Sequence, residues 1–124
     1  LSLPGVGKVL ALVLMYEIGN IRRFNKVGNF LSYARLVRGS HESAGKKYGS
    51  HGHKMGNPHL KWAFSEAVTL FLRECPGAKA WMMKMEKRYG KARALAILTT
   101  RMGRAAYKML RRGEAFDEKR FFAN

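Results

Sequence analysis

Side chains that could act as nucleophiles or ligands are concentrated between His41 and Asn57, a stretch rich in glycine, lysine and histidine. Within it, Ser43 could attack a phosphodiester if neighbouring cations hold the phosphate group. The stretch has no apolar periodicity and is longer than a connection inside a small domain requires, which indicates a functional loop. The cations available within the loop are Lys46, Lys47 and Lys54.

The residues of this loop leave three interpretations open. In the first, histidines ligate zinc, but no cysteine is near and their spacing fits no common zinc site. In the second, a basic loop only touches phosphate, and its serines are structural. In the third, Ser43 is a nucleophile. The histidines concerned are His41, His51, His53 and His59.

The chain opens with a second candidate, the segment Leu3-Pro4-Gly5-Val6-Gly7 followed by Lys8. A glycine turn that enters a helix leaves backbone N–H groups free, and the helix N-terminus adds partial positive charge. Such a hairpin can hold a DNA phosphate without contacting bases. Gly5, Gly7 and Lys8 are therefore predicted to bind nucleic acid. An ordinary turn before a buried helix is the alternative interpretation.

The third candidate is the helix predicted from Lys91 to Arg112. Nine lysines and arginines and no acid occur between Lys87 and Arg112. A solvated helix face usually mixes charges of both signs, so this pattern favours nucleic-acid contact. At 100° per residue, one arc carries the cations and a neighbouring arc is the expected core face. The cations on the basic arc are Arg93, Arg101, Arg104, Lys108, Arg111 and Arg112; the core arc contains Leu95, Leu98, Met102, Ala105, Ala106 and Met109.

The elements that must position these residues are predicted to be helices alone, because no stretch alternates as a strand would. Glycine or proline ends each apolar period, and Asn57-Pro58 is a typical helix start. The sequence thus predicts a small all-α domain that opens with a helix-hairpin-helix-like turn. The expected helices are 8–18, 27–37, one from Asn57-Pro58 to Glu74, a shorter one through Trp81 that ends before Gly90, and 91–112.

Composition limits the class of protein. The chain has 124 residues, with 24 lysines and arginines against 8 acids, a formal charge of +16. That length predicts one domain over 1–124, and that charge makes nucleic acid the first partner to expect. A single cysteine, Cys75, excludes an internal disulfide framework. The longest apolar run, Val9–Tyr16, is far below the ~20 residues of a membrane helix, so no membrane partner is expected. A start at Leu1, without methionine, suggests a piece of a longer protein.

Several motifs resemble a known family when taken in order. They are Leu-Pro-Gly-Val-Gly before a helix, Glu17-Ile-Gly-Asn20-Ile with Arg23-Phe24, Tyr33-x-Arg-Leu-Val37, Ser43-Ala-Gly45, Lys54-Met-Gly-Asn57-x-x-Leu60-Lys61 and the closing basic helix. Together they resemble the C-terminal domain of the insertion-sequence-110 transposases, the IS-116/110/902 domain. That family includes the pilin-gene invertase Piv and bridge-RNA-guided DNA recombinases.

The resemblance implies a DNA-binding catalytic domain in which Ser43 is the nucleophile of a covalent phosphoserine intermediate. It also implies nucleic-acid contacts from Lys54, Asn57 and Lys61. The full-length protein would carry a RuvC-like N-terminal domain that binds Mg²⁺, with no cofactor or metal in this chain. DNA, a guide RNA and other copies of the protein would be its partners, in the cytoplasm and nucleoid of a bacterium or archaeon. A non-catalytic basic module that binds DNA or RNA is the alternative.

Overall fold

A computed structural model of the chain describes residues 2–37 and 56–123. In these two ranges it contains six α-helices, one 3₁₀-helix and no strand, so the predicted all-α class is confirmed. The helices are α1 (Lys8–Ile18), a 3₁₀-helix (Ile21–Arg23), α2 (Val27–Tyr33), α3 (Pro58–Glu74), α4 (Pro76–Tyr89), α5 (Lys91–Arg112) and α6 (Glu118–Phe122).

The helix ends follow the local chemistry of the sequence. At the start of α3, the Asn57 side chain accepts hydrogen bonds from the backbone N–H groups of His59 and Leu60, and proline fills the first helical position. Gly113 ends α5 in the left-handed conformation that helix termini favour. The predicted bounds of α1, α3 and α5 are confirmed.

The predicted extent of α2 was wrong: the helix ends at Tyr33, not at Val37. Arg35 takes a left-handed conformation with φ of 60°, and the backbone N–H of Leu36 bonds to the carbonyl of Leu31. This turn directs Leu36 onto α5, where Gly103 has no side chain. A Cβ at Gly103 would lie 2.5 Å from the Leu36 side chain. A tertiary contact therefore decides where this helix ends.

Two further features were not predicted from the sequence. Pro76 was expected only to stop α3, but it is also the first residue of α4, which follows almost without a connection. The short helix α6 was missed altogether. Its N-cap is Asp117, whose carboxylate accepts from the backbone N–H of Arg120.

The core lies where α5 crosses the other helices. This helix packs on α2, α3 and α4 and on the 3₁₀-helix, and α3 packs on α1. Leu98 and Met102 of α5 are fully buried, as are Phe30 of α2 and Phe64 of α3. The predicted core face of α5 is confirmed at Leu98, Met102, Ala106 and Met109, while Leu95 and Ala105 are half-buried.

Helix α1 differs from the others because it is apolar on all sides. Leu10, Leu14 and Ile18 are buried against α3, yet Leu12 and Tyr16 on the opposite face are 72% and 85% exposed. Helices of this kind are normally covered on both faces. In the described ranges no helix is long and apolar enough to cross a membrane.

Candidate nucleic-acid interface

One concave surface of the described chain is a basic groove between α5 and the C-terminal segment, residues 113–123. Its cavity has a volume of about 520 Å³. Ala105 and Met109 of α5, with Phe116 and Phe121 of the C-terminal segment, give it apolar walls. Its charged lining consists of Arg101, Arg104, Lys108, Arg112 and Arg120, with Glu114 and Asp117.

Three of these cations are exposed along α5 at helical spacing, namely Arg104, Lys108 and Arg112, and Arg120 is contributed by α6. Asp117 uses a carboxylate oxygen to cap α6. Guanidinium and ammonium groups arranged along a groove suit a phosphate backbone, which they can neutralise without reading its sequence.

The sequence also predicted Arg101 and Arg111 as nucleic-acid ligands, and the structure shows each with an internal role. Arg101 donates to the carbonyl of Phe121 at 2.9 Å and lies 5.5 Å from the ring of Trp81. Arg111 donates to the carbonyl of Phe24 at 2.9 Å and to the Tyr107 hydroxyl. The helical period placed these cations on one face of α5, but it could not separate cations that hold the fold from cations that face solvent.

Arg120 was missed because it follows the glycine that ends the basic helix. The available signal was Asp117, a typical N-cap three residues before it, which predicts a further helical turn. That helical turn, α6, places Arg120 in the lining of the basic groove.

The opening segment forms a turn, with the N–H of Val6 bonded to the carbonyl of Leu3. Gly5 has a φ of +79°, and a Cβ there would collide with the backbone carbonyl of Ala67 in α3. Gly7, the N-cap of α1, has open space around it. The two glycines therefore differ in role. Gly5 allows the turn to touch α3, and Gly7, beside exposed Lys8, leaves the end of α1 accessible.

A polar cluster joins residues from three of the recognised motifs. The Asn57 amide nitrogen donates to the carboxylate of Glu17 at 2.8 Å and to the Tyr33 hydroxyl at 3.3 Å. The guanidinium of Arg23 lies 4.7 Å from the Tyr33 ring centre and donates to the carbonyl of Ile18. Asn57 is only 8% exposed, so its side chain is engaged within the protein. Its predicted nucleic-acid contact stays a prediction.

The electrostatics of the cluster act on Tyr33. Hydrogen bonding from Arg23, and secondarily from Asn57, lowers the pKa of the Tyr33 hydroxyl against the opposing effect of burial. Donors of this kind stabilise the phenolate anion, because its negative oxygen is a stronger acceptor than the neutral hydroxyl.

The remaining predicted residues are placed as follows. Lys61 is exposed on α3, and His59 is exposed at the second position of that helix. Ser43, Lys46, Lys47 and Lys54 lie outside the described residues, as do the other histidines of the loop. Among residues 2–37 and 56–123, no group of three His, Cys, Asp or Glu side chains could hold a metal ion.

Comparison with known proteins assigns this basic helical domain to a class of DNA-mobilising proteins. The family model described as Transposase IS116/IS110/IS902 family matches residues 1–83, more than half of the chain. The chain therefore belongs to that family, which confirms the resemblance drawn from the motifs.

One similar curated protein is the insertion element IS110 uncharacterized 43.6 kDa protein of Streptomyces coelicolor. It is 28% identical over 120 residues, which are 95% of this chain and 29% of that protein. The chain thus spans about three tenths of the relative's length. No solved structure matches the chain.

The first prediction separates the two glycines of the opening turn. Gly5→Ala should lower the free energy of unfolding by about 2–4 kcal/mol, because the residue is both left-handed and in contact with α3. Gly7→Ala should change it by less than about 1 kcal/mol. If the turn holds a phosphate, Gly7→Ala should also weaken DNA binding about tenfold by blocking close approach. Urea unfolding and fluorescence anisotropy measure the two effects; unchanged affinity would make the turn structural only.

The second prediction concerns the basic groove. Arg104→Ala and Lys108→Ala should each reduce the slope of log affinity against log salt by about one, with unchanged thermal stability. Arg111→Ala should instead cost about 1–3 kcal/mol of stability, since the Phe24 carbonyl loses a charged donor. DNA titrations at several salt concentrations and thermal unfolding measure these effects. A salt-independent affinity would exclude the electrostatic interpretation.

The third prediction concerns pH. Arg23→Gln should raise the pKa of Tyr33 toward its ordinary value. The pKa is measured by following phenolate absorbance with pH, and the signal of Tyr33 is the part that is missing in a Tyr33→Phe variant. Arg22→Gln, which removes the same charge one residue away, is the matched control and should have little effect. Because the folded-state pKa is lowered, Tyr33 stabilises the fold at alkaline pH, and this contribution disappears as pH falls through that pKa. Equal effects of the two variants would show that only net charge matters.

Proposed function

We propose that this chain is the DNA-binding catalytic domain of a transposase or site-specific DNA recombinase, with Ser43 as its nucleophile. The observation that carries the proposal is the extent of the family match. Residues 1–83 include Ser43 and its loop, and they exclude the whole of the basic helix α5. The activity shared by the family is therefore expected to depend on the Ser43 loop and the helices that flank it, and not on the basic helix.

The structure on either side of the loop supports this assignment. The backbone N–H of Asn57 donates to the carbonyl of Tyr33 at 2.6 Å, so the segment after the loop is bonded to the helix before it. On the other side, the Leu36 carbonyl accepts from the Thr100 hydroxyl of α5 at 3.1 Å. Rigid supports are what a reactive loop needs if its nucleophile is to be held in a productive geometry.

The chemistry proposed for Ser43 is a transesterification. Its oxygen would form a bond to phosphorus while the bond to a sugar oxygen breaks, which conserves the phosphodiester energy for rejoining. The serine proton passes to a base, and the departing sugar oxygen gains one. Lysines of the loop would stabilise charge on the phosphoryl oxygens.

The acidic side chains of the described residues do not form a metal site. Following the resemblance, we place Mg²⁺ on carboxylates of a RuvC-like N-terminal domain, outside this chain. The chain spans about three tenths of its relative, and the remaining features of a whole transposase are likewise proposals. They are a guide RNA, self-association, and action on DNA in the cytoplasm and nucleoid of a bacterium or archaeon.

A second candidate function is a non-catalytic module that binds DNA or structured RNA. The basic groove favours it, since the groove supplies Arg104, Lys108, Arg112 and Arg120 without any contribution from the loop. The two functions predict different effects of removing the Ser43 hydroxyl: a catalytic domain would lose recombination, whereas a binding module would not.

The fourth prediction is that Ser43→Ala in the full-length transposase abolishes recombination and any covalent protein–DNA adduct, while DNA affinity remains within about twofold. Ser50→Ala, in the same glycine-rich stretch, is the matched control and should remain active. Denaturing gels of end-labelled DNA detect the adduct. Full activity of Ser43→Ala would refute the catalytic assignment and leave the binding module.

The isolated 124-residue chain should bind DNA yet form no adduct, and added Mg²⁺ should not restore one. Adding the rest of the transposase should allow the adduct to form. A metal-independent phosphoserine adduct on this chain alone would contradict the proposed division of labour.

A further inference from the structure

A second groove lies between α1 and the beginning of α3. Its cavity has a volume of about 460 Å³. Unlike the basic groove, it is lined mainly by apolar and aromatic side chains. They are Leu12, Val13, Tyr16 and Glu17 of α1 and His59 and Trp62 of α3.

The two aromatic residues of this groove are unusually exposed. Tyr16 is 85% exposed and Trp62 is 51% exposed, whereas Trp81 and Tyr107 are buried in the core. The fold thus leaves two large rings in water on the walls of a single groove, although burying them would have been favourable. An exposed apolar surface of this kind is typical of a binding site.

We propose that the groove binds an unpaired nucleobase of a single-stranded nucleic acid, stacked against Tyr16 and Trp62. The proposal rests on the nucleic-acid binding proposed above and adds a site that does not depend on Ser43. Aromatic side chains stack with any base, because every base presents a flat π-face. Single-stranded DNA and RNA share this chemistry.

The surroundings of the rings favour a base over an apolar protein segment. Lys8 lies one helical turn before Leu12 and Lys61 precedes Trp62; both are exposed and can reach the phosphates that flank a bound base. The carboxylate of Glu17 and the imidazole of His59 give the groove walls polar groups for the edge of a base. A chain of formal charge +16 concentrates nucleic acid at its surface.

Intrinsic fluorescence offers a direct test, since the chain has only two tryptophans and Trp81 is buried. A single-stranded oligothymidylate should quench the emission of the native chain. An abasic oligonucleotide of equal length, with the same phosphates and no bases, should not. In Trp62→Phe the quenching by oligothymidylate should disappear. Equal quenching by the abasic strand would overturn the proposal.

Affinity offers a second test. Trp62→Ala and Tyr16→Ala should each weaken binding of single-stranded oligonucleotides about tenfold and leave duplex DNA binding unchanged. Tyr89→Ala, which removes an exposed ring of α4, is the matched control and should weaken neither. Circular dichroism confirms folding, which is expected because both groove rings are exposed. Parallel titrations with oligouridylate and oligothymidylate show whether RNA or DNA is the preferred source of the base.

Failure of this proposal can be told apart from failure of the proposed function. If Trp62→Ala leaves single-strand affinity intact while Arg104→Ala lowers it, stacking is refuted and nucleic-acid binding stands. If Trp62→Ala only abolishes self-association in sedimentation experiments, the groove belongs to a protein contact and the proposal is overturned. Loss of single-strand binding in Trp62→Ala, with Ser43→Ala still recombining, would support the groove and refute the catalytic assignment.

Discussion

The hydrogen bonds of the Asn57 side chain hold together the three helices beside the loop that contains Ser43. The amide oxygen caps α3 through two backbone N–H groups, and the amide nitrogen donates to Glu17 of α1 and Tyr33 of α2. All the hydrogen-bonding capacity of one buried amide is thereby used. A carboxylate could cap the helix but could not donate to Glu17, and an apolar residue would leave all four of these groups without the Asn57 side chain as a partner. One amide thus fixes three helices relative to each other beside the end of the serine loop.

The lysines and arginines of this highly basic chain fall into two groups: some bond within the fold, and others face solvent. Arg23 and Arg111 end at backbone carbonyls and lie over aromatic rings, where planar guanidinium groups bind well. These contacts join distant parts of the chain: Phe24, near the 3₁₀-helix, receives hydrogen bonds from both Tyr107 and Arg111 of α5. Arg104 and Lys108 remain exposed. Arginine therefore stabilises the fold at positions 23 and 111, and it contributes positive charge to the solvent-exposed surface at position 104.

The sequence predicted what local chemistry controls, namely the helical class, the proline-led start of α3 and the glycine ends of α5. It did not predict the end of α2, where a left-handed Arg35 accompanies the packing of Leu36 against Gly103 of α5, because that packing joins distant parts of the chain. The basic face of α5 was predictable from periodicity. The internal role of Arg101 was not, since it depends on the carbonyl of Phe121 in a helix that the sequence reading missed. Nor could periodicity find the exposed groove of Tyr16 and Trp62, because α1 is apolar on every face.

The C-terminal wall of the basic groove is attached mainly by rings. Phe116, Phe121 and Phe122 surround Phe71 of α3 with centroid distances of 5.7–6.2 Å. Dispersion contacts of this kind have little directionality, and a five-residue helix has no stability of its own. Detaching this wall therefore costs less free energy than opening the helices behind it. The width of the groove therefore depends on these ring contacts, whereas Arg104 and Lys108 are held on the 22-residue helix α5.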